Sequence, residues 1–271
     1  MLKDITIGQY IAGNSPIHKM DARVKILFAL LFIVLLFIIK GVAEYAVITL
    51  FLALVVKLSG VPLKFIVRGL KPMLFILIFT VLINVLMTTG EVLWSVNLGI
   101  FTLRVTREGV TMGIYMLLRL VYLVIGTSVL TLTTSPLMLT DGIEKLLKPF
   151  EIIKVPSHEI AMMMTIAIRF IPTIADETDK IMKAQTARGA DFESGSIIRR
   201  AKAMIPLLVP LFVSSFRRAD ELAVAMDSRC YRGGASRTRM KEMRLTKYDA
   251  YAGAVIFAVI AILIASRIAF F

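Results

Sequence analysis

Apolar residues in this chain fall in long runs separated by short charged segments, with little of the alternation that marks strands. Val24–Ile39 carries one charge, Lys25, at its very start, and Val42–Val56 holds only Glu44. Met73–Met87 is uncharged and extends to Thr89, Gly109–Leu132 has Arg119 alone inside it, and Ala250–Ala265 has no charge. As helix, about 18 to 20 such residues cross about 30 Å of hydrocarbon. Helices are the economical choice, because lipid offers no partner for a free peptide group. The pattern predicts an all-α integral membrane protein with about five transmembrane helices, four in the first half and one at the C-terminus.

Between the third and fourth runs, Thr88–Glu108 (TTGEVLWSVNLGIFTLRVTRE) combines glycines with the alternation IFTLRV. It reads as a connecting loop or a short β-hairpin, with Trp94 as an interfacial aromatic. TTSP (Thr133–Pro136) ends the fourth run, since Thr and Ser favour caps and Pro suits a first helical turn. Apolar residues at Ile143, Leu146, Leu147 and Phe150 then line one helical face. Next comes an apolar helix over Ile160–Ile174, interrupted by Pro172 and Arg169, with a polar helix from Ala175 to Arg188. The first of these is near the lower limit for a span and is expected to lie along the bilayer or beneath the other spans. The scheme repeats: Ile205–Phe216 is broken by Pro206 and Pro210, and a polar helix leads to Arg229. The expected organisation is a transmembrane region over 1–132, a cytoplasmic or membrane-surface region of long helices over 133–248, and a last transmembrane helix over 249–271.

Composition supports the membrane reading. The 271 residues are 58% hydrophobic, against about half for a soluble domain. The net charge of +13 invites a nucleic-acid reading, but its distribution argues against one. Lys3, Lys19, Arg23 and Lys25 precede the first span, and Lys57, Lys64, Arg68 and Lys71 lie between the second and third. The loops after the first and third runs are near neutral, with Lys40 and Glu44, then Glu91 and Glu108 against Arg104 and Arg107. This positive-inside alternation places the N-terminus in the cytoplasm and, after five spans, the C-terminus outside. No central apolar run lies in the first 23 residues, so no cleavable leader is expected. A single cysteine, Cys230, excludes an intrachain disulfide and a cysteine-built metal site, and His158-Glu159 lacks a second His four residues on.

Two helix stops stand out. AQTARGADFESG (Ala184–Gly195) is echoed by AMDSRCYRGG (Ala225–Gly234), with Arg188 and Arg229 41 residues apart. Superposing them aligns Asp179 with Asp220, Ile181 with Leu222, Ala184 with Ala225, Ala187 with Ser228 and Gly189 with Cys230. One Arg-Gly at a helix end is most often only a cap, in which Arg offsets the helix dipole. Two in matched positions point further, to a pair of helix ends each presenting one guanidinium fork between small residues. Such forks suit carboxylates or carbonyls in a partner's groove, and two similar tips suit two similar partner subunits.

Ala187–Gly189 and Ser228–Cys230, with HKMDARVK (His18–Lys25) and TTSP, resemble the T component of energy-coupling factor transporters. The resemblance runs from Ser15 to the last helix. It implies two long coupling helices whose X-Arg-X ends dock on two ABC-type ATPases, and transmembrane helices that hold a separate small membrane protein binding the vitamin. On that basis Ala187, Arg188, Gly189, Ser228, Arg229 and Cys230 are the expected ATPase contacts. The implied role is to convert ATP-driven closure of the ATPases into reorientation of the substrate-binding subunit in a prokaryotic cell membrane. Two departures stand against the family pattern. Cys230 replaces a frequent Gly, which puts a left-handed ending of the second helix in doubt, and Ala22 follows Asp21 where Pro is usual. The non-identical tips fit two non-identical ATPases.

No GxxxxGK[ST] loop is present, so no cofactor is expected in this chain, with ATP and Mg²⁺ bound by the partner ATPases. Asp176, Glu177 and Asp179 offer a carboxylate cluster for an alternative, a membrane enzyme acting on lipids or prenyl chains through Mg²⁺. Asp176 and Glu177 also begin the expected polar helix, where acids favour the dipole. A third reading is a conventional ABC permease that binds substrate itself. Of the remaining features, Arg119 needs a backbone carbonyl or an acid on another chain. Asp21 and Arg23 form a local polar cluster. Met162–Met164 supply either packing or an adaptable surface. Ser228–Lys247, with seven basic residues against Glu242, faces lipid headgroups or an acidic partner, or simply follows the positive-inside bias.

Overall fold

Capping residues decide where the helices begin. In the computed structural model, which describes residues 10–39, 41–97, 102–192, 194–233 and 244–269, the Asp21 carboxylate accepts the Arg23 N–H and α1 (Ala22–Ile38) follows. α2 (Val42–Ser59) opens with Glu44 accepting the Gly41 N–H at 3.2 Å and closes on Gly60 at φ 66°. α3 (Leu63–Leu70) is joined by one 3₁₀ turn (Lys71–Met73), containing Pro72, to α4 (Leu74–Met87). Strands β1 (Val92–Asn97) and β2 (Thr102–Thr106) pair antiparallel, with Asn97 opposite Thr102. The Thr106 hydroxyl then accepts the Gly109 N–H and starts α5 (Arg107–Thr133). α6 (Pro136–Leu147) begins on Pro136 and gives way to a 3₁₀ stretch (Lys148–Ile153). The last three helices are α7 (Ser157–Ala187), α8 (Ile197–Ser228) and α9 (Lys247–Ala269).

The chain divides into two compact units, one holding Gly8–Gly142 with Met243–Phe271, the other Ile143–Glu242. In the first, α1, α2, α5 and α9 share a core of Phe32, Leu36, Ile48, Leu52, Tyr122, Val259 and Leu263. Several polar groups inside it find their partners locally, as lipid demands. Tyr45 stacks on Tyr115 at 4.9 Å and donates to the Tyr115 carbonyl at 3.3 Å, and Thr49 meets the Tyr122 hydroxyl at 2.5 Å. Arg119 finds the backbone partner it requires: Nη2 donates to the Ile39 carbonyl at 3.1 Å, just past the C-terminus of α1, and the guanidinium lies over Phe37. Large side chains on the outside of this unit, such as Phe75 at 77% exposure, are apolar and suited to lipid.

Helices α4 and α5 approach through Gly109 and Gly113, a small-xxx-small pair on α5. A Cβ on Gly109 would lie 3.0 Å from the carbonyl oxygens of both Asn84 and Val85, neither of which can move freely. Gly109→Val is therefore expected to lower stability by about 2 kcal/mol, as overpacking against backbone does. Thermal unfolding of the detergent-purified protein would read it, and an unchanged midpoint would refute the close packing.

Five described helical segments are long and apolar enough, by length and composition, to cross a membrane: Val42–Ser59, Leu63–Met87, Arg107–Thr133, Ser157–Ala187 and Lys247–Ile268. α1, with 17 residues, is about 25 Å long, the bottom of the spanning range. The third run starts ten residues earlier than its uncharged stretch suggests, because the amphipathic α3 buries Ile66 while Lys64 and Arg68 stay exposed. Lys25 is not a loop charge either; it lies inside α1 and is 5% exposed.

Pro172 likewise fails to end a helix. It withholds one N–H from the Ile168 carbonyl, yet α7 continues through it to a full length of 31 residues, so Asp176 and Glu177 lie mid-helix rather than at a dipole's positive end. α8 passes through Pro206 and Pro210 in the same way. The hairpin reading of Thr88–Glu108 is the one realised. Glu91 N–H donates to Glu108 at 2.8 Å, and the Thr106 hydroxyl to the Thr88 carbonyl at 2.8 Å, fixing the hairpin's base between α4 and α5.

Candidate functional site

Each of the two helix stops is built by the backbone. At the end of α7 the Gly189 N–H donates to the Thr186 carbonyl at 2.9 Å and the Ala190 N–H to the Gln185 carbonyl at 3.0 Å. At the end of α8 the Cys230 N–H donates to the Asp227 carbonyl at 2.9 Å and the Tyr231 N–H to the Met226 carbonyl at 3.1 Å. Both are Schellman caps, bond for bond. The arginine occupies the same place in each, the C-cap, at φ −87°, ψ 6° for Arg188 and φ −93°, ψ 15° for Arg229.

The doubt attached to Cys230 is resolved by its conformation: φ is 57°, left-handed, beside 89° for Gly189. A non-glycine residue there costs roughly 1 kcal/mol, which the two cap hydrogen bonds offset. Ala187, Arg188, Gly189, Ser228, Arg229 and Cys230 are all exposed. Neither guanidinium has a partner among the described residues, so both forks stand free. Space around the caps is open as well, with nothing within 4 Å of where a Gly189 side chain would start.

The carboxylate cluster does not assemble as a metal site. No group of three ligating residues occurs among the described residues, and Glu177 accepts a hydrogen bond from Arg218 Nη2 at 2.9 Å across α7 and α8. Arg169 is exposed on α7, and so are Met163 and Met164. His158 meets the Glu144 carboxylate at 3.1 Å. The middle of the basic stretch, 234–243, lies outside the described residues.

A second polar constellation joins motifs that look unrelated in sequence. Lys25 Nζ donates to the Thr133 carbonyl at 3.1 Å and to the Thr134 hydroxyl at 3.2 Å. The Asp249 carboxylate accepts the Asp21 N–H at 2.9 Å through one oxygen and the Thr246 N–H and hydroxyl through the other. Asp21 itself holds Arg23 at 2.6 Å. HKMDARVK, TTSP and the start of α9 thus form one latch, with Asp21, Lys25, Thr133, Thr134 and Asp249 all buried. The available signals were a lysine placed just inside an apolar run and the Thr246–Asp249 spacing of a helix start. Neither identifies its distant partner.

The start of α1, the end of α5 and the start of α9 meet at one end of their unit.

Comparison with known proteins agrees with these features. The family model for the cobalt transport protein (CbiQ) matches residues 13–241. The energy-coupling factor transporter transmembrane protein EcfT of Clostridium kluyveri is 57% identical over 271 residues, covering 99% of this chain and 98% of that protein. Its counterpart in Thermosediminibacter oceani is 56% identical over 248 residues, 92% of each chain. That of Bacillus subtilis is 48% identical over 250 residues, 92% of this chain and 93% of that protein. Likeness of this extent, over nine-tenths or more of the chain, means that the chain belongs to the CbiQ family and stands among the energy-coupling factor transporter transmembrane proteins.

Proposed function

We propose that this chain is the coupling subunit of an energy-coupling factor uptake transporter, joining two non-identical ABC-type ATPases to a small membrane protein that binds a vitamin or similar micronutrient. The observation that carries the reading is the duplicated helix end, one free guanidinium on each of two matching caps. A bidentate fork set by backbone geometry suits a carboxylate or a row of carbonyls in a groove, and two copies suit a two-fold pair of grooves. Closure of the ATPases would carry the two ends with it and pass the movement to the membrane-embedded binding protein. ATP and Mg²⁺ belong to the ATPases in this scheme, and the chain itself holds no cofactor and catalyses nothing. The relatives' names lend no support to a lipid-modifying enzyme or to a permease that binds substrate alone.

The latched end of the transmembrane unit is assigned to the cytoplasm. Exposed Lys57, Lys64, Arg68 and Lys71 cluster between α2 and α4, which favours that side. With α1, α2, α4, α5 and α9 as the five crossings, the C-terminus emerges outside, in the plasma membrane of a prokaryote.

Native co-purification tests the assignment. Tagged chain extracted gently from its own host membrane is expected to bring two ABC-type ATPases and one small, very apolar protein. A chain that emerges alone and monodisperse overturns the reading. ATP hydrolysis by a preparation free of other proteins would do the same.

A further inference from the structure

The Glu177–Arg218 pair has a property its chemistry alone does not reveal. The two residues are 41 positions apart, the same offset that places Arg188 over Arg229. They are therefore equivalent positions in the two helical repeats, and they touch. When two segments are related by an approximate two-fold axis, only residues near that axis meet their own equivalents. The helices match along their whole lengths, Ser157–Ala187 against Ile197–Ser228, and end in the same cap. The contact thus marks where the axis passes between α7 and α8. Opposite charges are the arrangement that makes such a contact attractive, since identical residues there would repel or merely pack.

From this point we infer that Glu177 and Arg218 form the fulcrum of the coupling helices, positioning residues that hold the crossing fixed while the two capped ends move as a pair. Beyond it each helix runs the same number of residues, from Glu177 to Arg188 and from Arg218 to Arg229, an arm of about 16 Å at 1.5 Å per residue. All three helix prolines, Pro172, Pro206 and Pro210, lie on the near side of the crossing, so both arms are uninterrupted α-helix. The clasp is partly sheltered, with side-chain exposures of 26% for Glu177 and 28% for Arg218. Arg218 is further held over the Phe170 ring at 5.6 Å, a contact that orients the guanidinium toward α7. A neighbouring pair, Arg217 with Glu221, lies within α8 and is far more exposed, so it cannot serve as a link between helices.

This inference rests on the coupling reading above, and its test separates the two. Spin labels are placed on the equivalent exposed arm positions, Lys183→Cys and Val224→Cys, in a Cys230→Ser background, and the complete transporter is reconstituted in nanodiscs. With the clasp intact a single narrow distance between labels is expected. Glu177→Gln and Arg218→Gln should each broaden it and lower the substrate moved per ATP hydrolysed by about fivefold, the lower end of ordinary coupling between sites, while hydrolysis continues. The charge swap Glu177→Arg with Arg218→Glu should restore both readouts, and it keeps the test decisive if a single variant fails to insert. Unchanged distances in the single variants, or a well-inserted swap that restores neither readout, overturn the fulcrum. ATPases missing from the preparation would instead overturn the coupling reading, and the label distances would still decide the clasp.

Discussion

Uptake by a transporter carrying Arg188→Ala and Arg229→Ala together is expected to fall to background, although the chain inserts and folds as before. Both side chains are exposed and, among the described residues, without partners, and both caps are made by backbone N–H groups that truncation leaves in place. The stability cost is confined to a lost charge near a helix C-terminus, a few tenths of a kcal/mol at an exposed site. The docking cost is larger. A truncated arginine anchor loses about 2 kcal/mol, so two independent anchors lose about 4 kcal/mol, close to a thousandfold in affinity. Single variants should retain part of the activity. Arg→Lys at both positions should fall between, since the charge survives and the planar fork does not. Uptake assays, paired with a pull-down of the ATPases and a thermal melt, would distinguish lost docking from lost folding. Undiminished uptake in the double alanine variant would remove the central argument.

The second large effect concerns stability. Asp249→Ala removes three hydrogen bonds at once and leaves the Asp21 N–H facing a buried, empty position. Hydrogen bonds to a charged acceptor contribute about 1.5 to 3 kcal/mol each, and an unsatisfied buried donor adds its own penalty. Because the three bonds share one carboxylate, their contributions are not additive, and a loss of about 4 kcal/mol is the expected scale. Both α1 and α9 lose their anchorage together. Asp249→Asn keeps one carbonyl acceptor and should cost roughly half as much. Denaturation midpoints of the three proteins in one detergent give the order, and equal midpoints for wild type and Asp249→Ala would show that the latch bears no weight.

How far the sequence could be read depended on whether the signal was local. Apolar runs long enough to cross a bilayer need no partner to be recognised, so α2, α4, α5 and α9 were legible from composition alone. Helix ends were half legible. Gly189 announces a left-handed cap through its lack of a Cβ, whereas Cys230 adopts the same φ because two backbone hydrogen bonds outweigh its steric preference. Pro172 misled for a related reason: one missing hydrogen bond is a small loss in a 31-residue helix, so propensity at that residue does not decide the fold. The latch was illegible because its residues are more than a hundred positions apart, and nothing beside Lys25 announces Thr133. Glu177–Arg218 lay between these cases, since the repeat offset was readable and the contact at that offset was not.

Placing α9 beside α1 and α2 also sets an order of events during synthesis. Val259 and Leu263 belong to the same core as Leu36 and Ile48, and Asp249 completes the latch on Asp21. Residues made earlier therefore wait, with an open apolar groove and an unpartnered backbone N–H, until α9 has been made. Contacts so distant in sequence form late and slowly. The core shared by α1, α2 and α5 is therefore one that these helices cannot close by themselves, and α9 supplies the missing wall.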